Sequence, residues 1–173
     1  SLLRALDAIT AAIPHAELSI QWDICQEVLV FENYFPSRPA DYKTRIFALL
    51  ERLGAAVPAD VELGYHLCYG SPADQHLVMP TDAGVLAELT RAIVAAVRRP
   101  LDFIHLPVPR ERDDAAYFAP LRGLRLPEHT RLYLGLIHHD DADGDRRRMD
   151  TGRAAVGGGF GVATECGWGR GEP

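Results

Sequence analysis

The chain has 173 residues, of which 47% are hydrophobic and 24% charged, an ordinary composition for a soluble domain with a substantial core. The formal net charge of -6 argues against a nucleic-acid partner, because phosphate binding needs a concentrated cationic face. No apolar run reaches the roughly 20 residues of a membrane-spanning helix, so we expect no membrane partner. Three widely spaced cysteines argue against a disulfide framework and favour a reducing cytoplasm.

Helix-like and strand-like patterns alternate along the chain. Residues 41–53 show the helical spacing well, with apolar side chains at Ile46, Leu49, Leu50 and Leu53 and a stop at Gly54. In chain order, the patterns predict a helix at 2–9, a strand at 18–25, a helix at 41–53, a strand at 61–69, a helix at 81–99, a strand at 101–106, a short helix at 115–121, a strand at 130–138, a helix at 146–155 and a strand at 160–165.

This alternation predicts an α/β fold with parallel strands joined by right-handed crossovers. No Gly-x-Gly-x-x-Gly turn follows a strand, so the dinucleotide-binding version has no support. Five parallel strands are too few to close a (β/α)8 barrel. We therefore expect residues 1–173 to form one domain, the C-terminal part of a (β/α)8 TIM-type barrel whose N-terminal strands are missing from this chain.

Thiols and imidazoles recur where these predicted strands end. They are His66 and Cys68, His105, His138 and Cys166. The carboxyl ends of parallel barrel strands share one face, which is where such barrels keep their active sites. Strand alternation also places His66 and Cys68 on the same side of their strand. The pattern predicts one site at the barrel mouth.

Zinc is the metal that suits this donor set, since its catalytic sites use three thiolate, imidazole or carboxylate ligands and keep one open position. Each cysteine taken singly is also compatible with a small buried hydrophobe. His105 is compatible both with a ligand or acid–base role and with a buried, hydrogen-bonded imidazole. A shared zinc ion requires the sulfurs of Cys68 and Cys166 to lie within about 5 Å of each other.

Other polar residues are candidates for binding or catalysis. Asp23 ends an apolar strand, and burying its carboxylate requires a cation such as an arginine or a substrate ammonium group. Glu27 is compatible with a share in that role and with a surface position. We expect His138 to face the barrel interior and His139 the helices.

Two further polar features are interpreted as solvated. His76 lies in the loop after the His-x-Cys strand; this position is compatible with closing over the site, and a solvated loop histidine is the simpler interpretation. Arg146, Arg147 and Arg148 are surrounded by aspartates and are expected on an exposed loop-to-helix face.

Several motifs, taken in order, carry a resemblance to a known superfamily. They are Gln21-x-Asp23, His66-x-Cys68, Gly135-Leu136-Ile137 and Glu165-Cys166-Gly167 with Arg170 downstream. In this order they resemble the catalytic domain of cobalamin-independent methionine synthase and, more broadly, the barrel superfamily that this enzyme shares with uroporphyrinogen decarboxylase. The resemblance runs from about Ser19 to Arg170, and its specific part is the His-x-Cys pair with the distal Cys-Gly.

The resemblance implies a zinc ion held by His66, Cys68 and Cys166. His105 stands where the family has a glutamate ligand, and it becomes the fourth expected ligand. Asp23 matches the carboxylate that holds a substrate amino group, and His138 lies near the family's proton-donating histidine. The implied reaction is methyl or alkyl transfer to a small thiol substrate activated at the metal.

Departures from the family pattern keep other functions open. Ile24-Cys25-Gln26 replaces the family's Glu-Pro-Ala, which argues against methionine synthesis itself and favours a small single-barrel relative. One alternative is a metal-free lyase or decarboxylase in which Asp23, Arg110 and Arg170 bind a small acidic substrate. Another is a barrel without catalytic activity. The sequence leaves open whether copies of the chain form a homo-oligomer.

Overall fold

A computed structural model of the protein describes residues 2–72 and 76–167. Helices and parallel strands alternate through this part of the chain. The elements are α1 (Leu2–Ala12), β1 (Ser19–Ile24), α2 (Cys25–Phe31), α3 (Tyr42–Ala56), β2 (Glu62–Leu67), α4 (Gly84–Ala96), β3 (Phe103–Pro107), α5 (Ala115–Phe118), β4 (Arg131–Ile137), α6 (Ala142–Val156) and β5 (Gly161–Thr164). Short 3-10 turns occur at His15–Glu17 and Ala119–Leu121.

The five strands form one parallel sheet in the order β1-β2-β3-β4-β5. This confirms the predicted α/β class with parallel strands. Each strand pairs with its neighbour in sequence, so right-handed crossovers that all advance in one direction place their helices on one side of the sheet. A doubly wound sheet would reverse its strand order and carry helices on both sides. The strand order is therefore consistent with part of a barrel, and the barrel itself stays a prediction.

The core lies between the sheet and this helix layer. Alternate strand residues on that side are fully buried aliphatic or aromatic side chains, namely Leu63, Tyr65, Leu67, Ile104, Leu106, Leu134 and Leu136. Helix α3 packs Ile46, Leu50 and Leu53 toward them, at the spacing of one helical face. Apolar burial on the helix side thus fixes which residues of each strand point to the other side.

The other side of the sheet is open. Gln21, Phe103, Arg131 and Tyr133 are among the residues that line a cavity of about 410 Å³ on this face. Gly64 makes room there for the Phe103 ring, whose atoms would clash with a Cβ added at this glycine. These aromatic and charged side chains occupy the positions that face inward in a closed barrel.

Two sequence-based expectations are wrong. Helix α2 follows β1 directly, although the sequence pattern predicted strand through Cys25 and no helix after it. Arg148 is not on an exposed face, because its side chain is fully buried and pairs with Asp141 at 2.8 Å and Asp145 at 2.5 Å. Arg146 and Arg147 are exposed as expected.

Within the described residues, none of the helices combines the length and the apolar character needed to cross a bilayer.

Candidate metal centre

The sheet register brings the predicted site residues together at the carboxyl ends of the strands. Asp23 on β1 is opposite His66 on β2, and His66 is opposite His105 on β3. Because residues paired in a parallel sheet point to the same side, the three side chains lie in a row on the open face. Cys68 follows β2 by one residue, and Cys166 follows β5 by two, so both thiols lie at the carboxyl ends of their strands.

His66, Cys68 and Cys166 form a compact group of possible metal ligands. Their donor atoms all lie within 4.8 Å of one another. The two sulfurs are 3.9 Å apart, below the limit of about 5 Å that a shared metal allows. With Zn–S bonds of about 2.3 Å and tetrahedral angles, two thiolates on one zinc ion lie about 3.8 Å apart. The observed spacing therefore fits zinc.

The buried ring of His66 is a second indication that this group of residues suits a metal ion. Its side chain is 4% exposed, yet neither ring nitrogen has a hydrogen-bond partner of ordinary geometry among the described residues. A buried polar group without a partner costs about 1–3 kcal/mol, so proteins rarely retain one without a reason. A metal ion bound to one ring nitrogen supplies that reason, and the residues present therefore fit zinc.

The two thiols hold their protons tightly without a metal. Contact with Cys166 lowers the pKa of Cys68, but contact with Cys25 and burial outweigh it and raise the pKa to about 11. Contact with Cys68 is the largest cause that raises the pKa of Cys166 to about 12, against the opposing effect of His66. Metal binding must therefore displace a proton from each thiol.

His105 lies against the group but does not belong to it. Its ring stacks on His66 with centroids 4.3 Å apart, and its Nε2 donates a hydrogen bond to the Thr164 carbonyl oxygen at 3.0 Å. Burial, followed by the nearby His66, lowers the pKa of His105 to about 4, so the ring is neutral at physiological pH. The neutral ring donates through Nε2 and keeps Nδ1 as an acceptor, and its stacking supports His66 by packing.

Asp23 differs from the sequence-based expectation. Its side chain is 55% exposed, so the carboxylate needs no buried cation to offset its charge. One oxygen lies 3.8 Å from His66 Nε2, which puts a negative charge beside the metal group and open to a ligand. Glu27 lies in the first turn of α2, where burial raises its pKa.

His138 lies at the end of β4 with its side chain 10% exposed, whereas His139 is 79% exposed. His138 Nε2 is 2.8 Å from the Val108 carbonyl oxygen, and because a carbonyl only accepts, this nitrogen carries a proton. His138 Nδ1 then faces a Glu165 carboxylate oxygen at 3.7 Å. The two atoms are both acceptors in this tautomer, and Nδ1 is left available for proton transfer.

His76 completes this cluster, against the expectation of a solvated loop histidine. Its side chain is 9% exposed, and its Nε2 lies 2.5 Å from a Glu165 oxygen. Sequence reasoning assigned no role to Glu165, and for His76 it preferred a solvated position to one that closes over the site. The signal for Glu165 was its position next to Cys166 at a strand end, but nothing local links His76 to a residue so far along the chain.

The proposed substrate-binding arginines are not both in the described part of the chain. Arg110 is half-exposed and lies 3.8 Å from Asp141. Arg170 falls outside the described residues.

Comparison with known proteins adds information about the fold. No protein-family model matches the chain, and no curated protein sequence matches it significantly. A solved structure is similar, that of a protein from Listeria monocytogenes provisionally assigned as a vitamin-B12 independent methionine synthase. The TM-score is 0.61 and the identity 16%, over 96% of this chain and 46% of the other. The chain therefore shares its fold with just under half of that protein, and this likeness supports a distant fold relationship.

Proposed function

We propose that this chain carries the zinc-binding part of an alkyl- or methyltransferase site that acts on a thiol substrate. The observation that carries the proposal is the His66, Cys68 and Cys166 group, with donor spacing that suits tetrahedral zinc and a buried histidine whose ring nitrogens have no hydrogen bond of ordinary geometry among the described residues. Zinc bound there would lower the pKa of a coordinated thiol and so make it a nucleophile near neutral pH.

Other residues of the chain have separate roles in this proposal. Asp23, exposed beside His66, would bind and orient a cationic group of the substrate such as an ammonium. His138 would hold or deliver a proton at Nδ1, because its Nε2 is committed to the Val108 carbonyl. A Glu165 carboxylate oxygen lies 3.7 Å from His138 Nδ1.

The same proposal includes the rest of a barrel. The strand order and the open face support a (β/α)8 barrel in which further strands pair with the exposed sides of β1 and β5. Such strands would cover the cavity lined by Phe103 and Tyr133 and enclose the metal group. The fold shared with part of a larger protein points the same way.

Metal analysis tests the function directly. The protein purified without chelators should contain close to one equivalent of zinc, and Cys68→Ser and Cys166→Ser should each remove most of it. His139→Gln, which changes an exposed imidazole nearby, is the matched control and should keep its zinc. Less than a tenth of an equivalent of transition metal in the unaltered protein, even after incubation with zinc, would refute the proposal.

A further inference from the structure

We propose that Cys25 is a fourth protein ligand of the same metal, so that the centre at rest is Cys3His. This rests on the proposed zinc site and goes beyond it, because the resemblance assigns no role to this cysteine. Cys25 is the first residue of α2 and directly follows β1. The sequence pattern predicted it as the end of a strand.

The strand register explains why Cys25 reaches the group. Ile24 on β1 pairs with Leu67 on β2, so the residues that follow each of them, Cys25 and Cys68, leave the sheet side by side. The two thiols are close enough to form a hydrogen bond. Cys68 therefore has two sulfur neighbours, Cys25 and Cys166, and the Cys166 sulfur is 3.9 Å away.

The donor count leaves one place for this sulfur. His66, Cys68 and Cys166 supply three of the four donors of a tetrahedral zinc ion. His105, the fourth ligand expected from the sequence, is not among the donors that lie within 4.8 Å of one another, and its ring stacks on His66. Among the described side chains, Cys25 brings a soft donor into contact with one of the three ligands.

A small rotation of the Cys25 side chain would bring its sulfur into the coordination shell of the metal. It is not among the donors that lie within 4.8 Å of one another. Rotation between staggered rotamers about its Cα–Cβ bond moves the sulfur by about 3 Å, enough to turn from a contact with Cys68 alone toward the shared centre. Because Cys25 is the donor that has to move, it is also the one with which a substrate thiol would compete.

Counting the sulfurs on the bound metal tests the inference. The zinc-loaded protein, kept reduced with a phosphine so that no added thiol contributes sulfur, is studied by X-ray absorption spectroscopy. We expect three sulfur ligands in the unaltered protein and two in Cys25→Ser. Competition with a chromophoric chelator should show at least about a tenfold loss of zinc affinity in Cys25→Ser, since even outer-shell changes cost that much.

The outcomes separate this inference from the proposed function. Two sulfurs in the unaltered protein, with unchanged affinity in Cys25→Ser, would overturn the role of Cys25 and leave the zinc site standing. Absence of bound metal in every form would overturn both. If Cys25→Ser does not fold, Cys25→Ala replaces it, and the sulfur count of the unaltered protein decides the question without any variant.

Discussion

Replacing Arg148 by alanine should destabilise the protein strongly. The guanidinium group is fully buried and donates to the Leu136 carbonyl at 2.9 Å and to the Arg110 carbonyl at 2.5 Å. Its remaining nitrogen bonds Asp141 at 2.8 Å and Asp145 at 2.5 Å. Arg148 thus ties the beginning of α6 to the end of β4.

The size of the effect follows from burial. Removing the guanidinium leaves the Leu136 and Arg110 carbonyls without their donor and two carboxylates, 22% and 14% exposed, without their cation, so we expect a loss of about 3–5 kcal/mol. For a chain of this size, each kcal/mol lowers the melting temperature by roughly 2–4 °C, so the expected loss is about 6–20 °C. Arg147 is the matched control, since its side chain is 60% exposed and pairs with Asp113. Arg147→Ala should leave the free energy of unfolding nearly unchanged, because exposed ion pairs contribute little.

Urea denaturation of both variants, followed by circular dichroism, measures the difference in unfolding free energy. A loss in Arg148→Ala no larger than that in Arg147→Ala would refute the reasoning from burial. Arg148→Ala with Asp145→Asn adds a second test. The double variant should recover part of the loss, because it removes a carboxylate that the single variant leaves without its cation.

Three further results are expected. Zinc affinity of the Cys25→Ser protein, measured by chelator competition between pH 7 and 9, should rise by about 100-fold per pH unit, because Cys68 and Cys166 each release a proton. The stability that the neutral His105 contributes is fully present above pH 6.5, the ordinary pKa of histidine. It should be lost as the pH falls toward 4, because the unfolded chain binds the proton more tightly than the folded protein does. Urea denaturation of His105→Gln across this pH range should therefore show a weaker pH dependence than that of the unaltered protein. Gly135→Ala should cost about 1–3 kcal/mol by urea denaturation and weaken zinc binding, because the added Cβ would lie 2.6 Å from a β5 carbonyl oxygen and 2.8 Å from Glu165 Cα.

Each of these has a result that contradicts it. A zinc affinity that rises less than tenfold per pH unit would mean that at most one thiol loses a proton on binding. Equal pH dependence in His105→Gln and the unaltered protein would show that His105 is not the residue responsible. A Cβ added at Gly158 would meet no atom of the described residues within 4 Å, so Gly158→Ala should be close to neutral. Similar losses in the two glycine variants would remove the steric explanation for Gly135.

Local patterns predicted the elements well where periodicity was strong. Helices α3 and α4 and the strands around His66 and His105 lie close to the predicted ranges, because one apolar face of each packs in the core. Helix α2 escaped prediction since its seven residues are too few to show a helical period. Arg148 escaped because a run of arginines among aspartates has the same local pattern whether exposed or buried.

For the metal group too, some features followed from the local sequence pattern and others depended on tertiary contacts. Strand alternation alone placed His66 and Cys68 on one side of β2, and their position at a strand end predicted a shared edge. Which nitrogen or sulfur reaches which neighbour depends on rotamers and on contacts between strands far apart in sequence. That is why the sequence did not predict the stacking of His105 on His66 or the exposure of Asp23, while the ligand role of His105 stays a prediction.

The sequence by itself determined the alternation of strands and helices, the parallel sheet, and the strand ends at which thiols and imidazoles would meet. These follow from side-chain periodicity and short connections, which are properties of neighbouring residues. Only the tertiary structure decided that Cys68 and Cys166 lie 3.9 Å apart, that His76 and Glu165 pair, and that Cys25 touches Cys68. These contacts join residues distant along the chain, and they are set by strand register and packing rather than by local pattern.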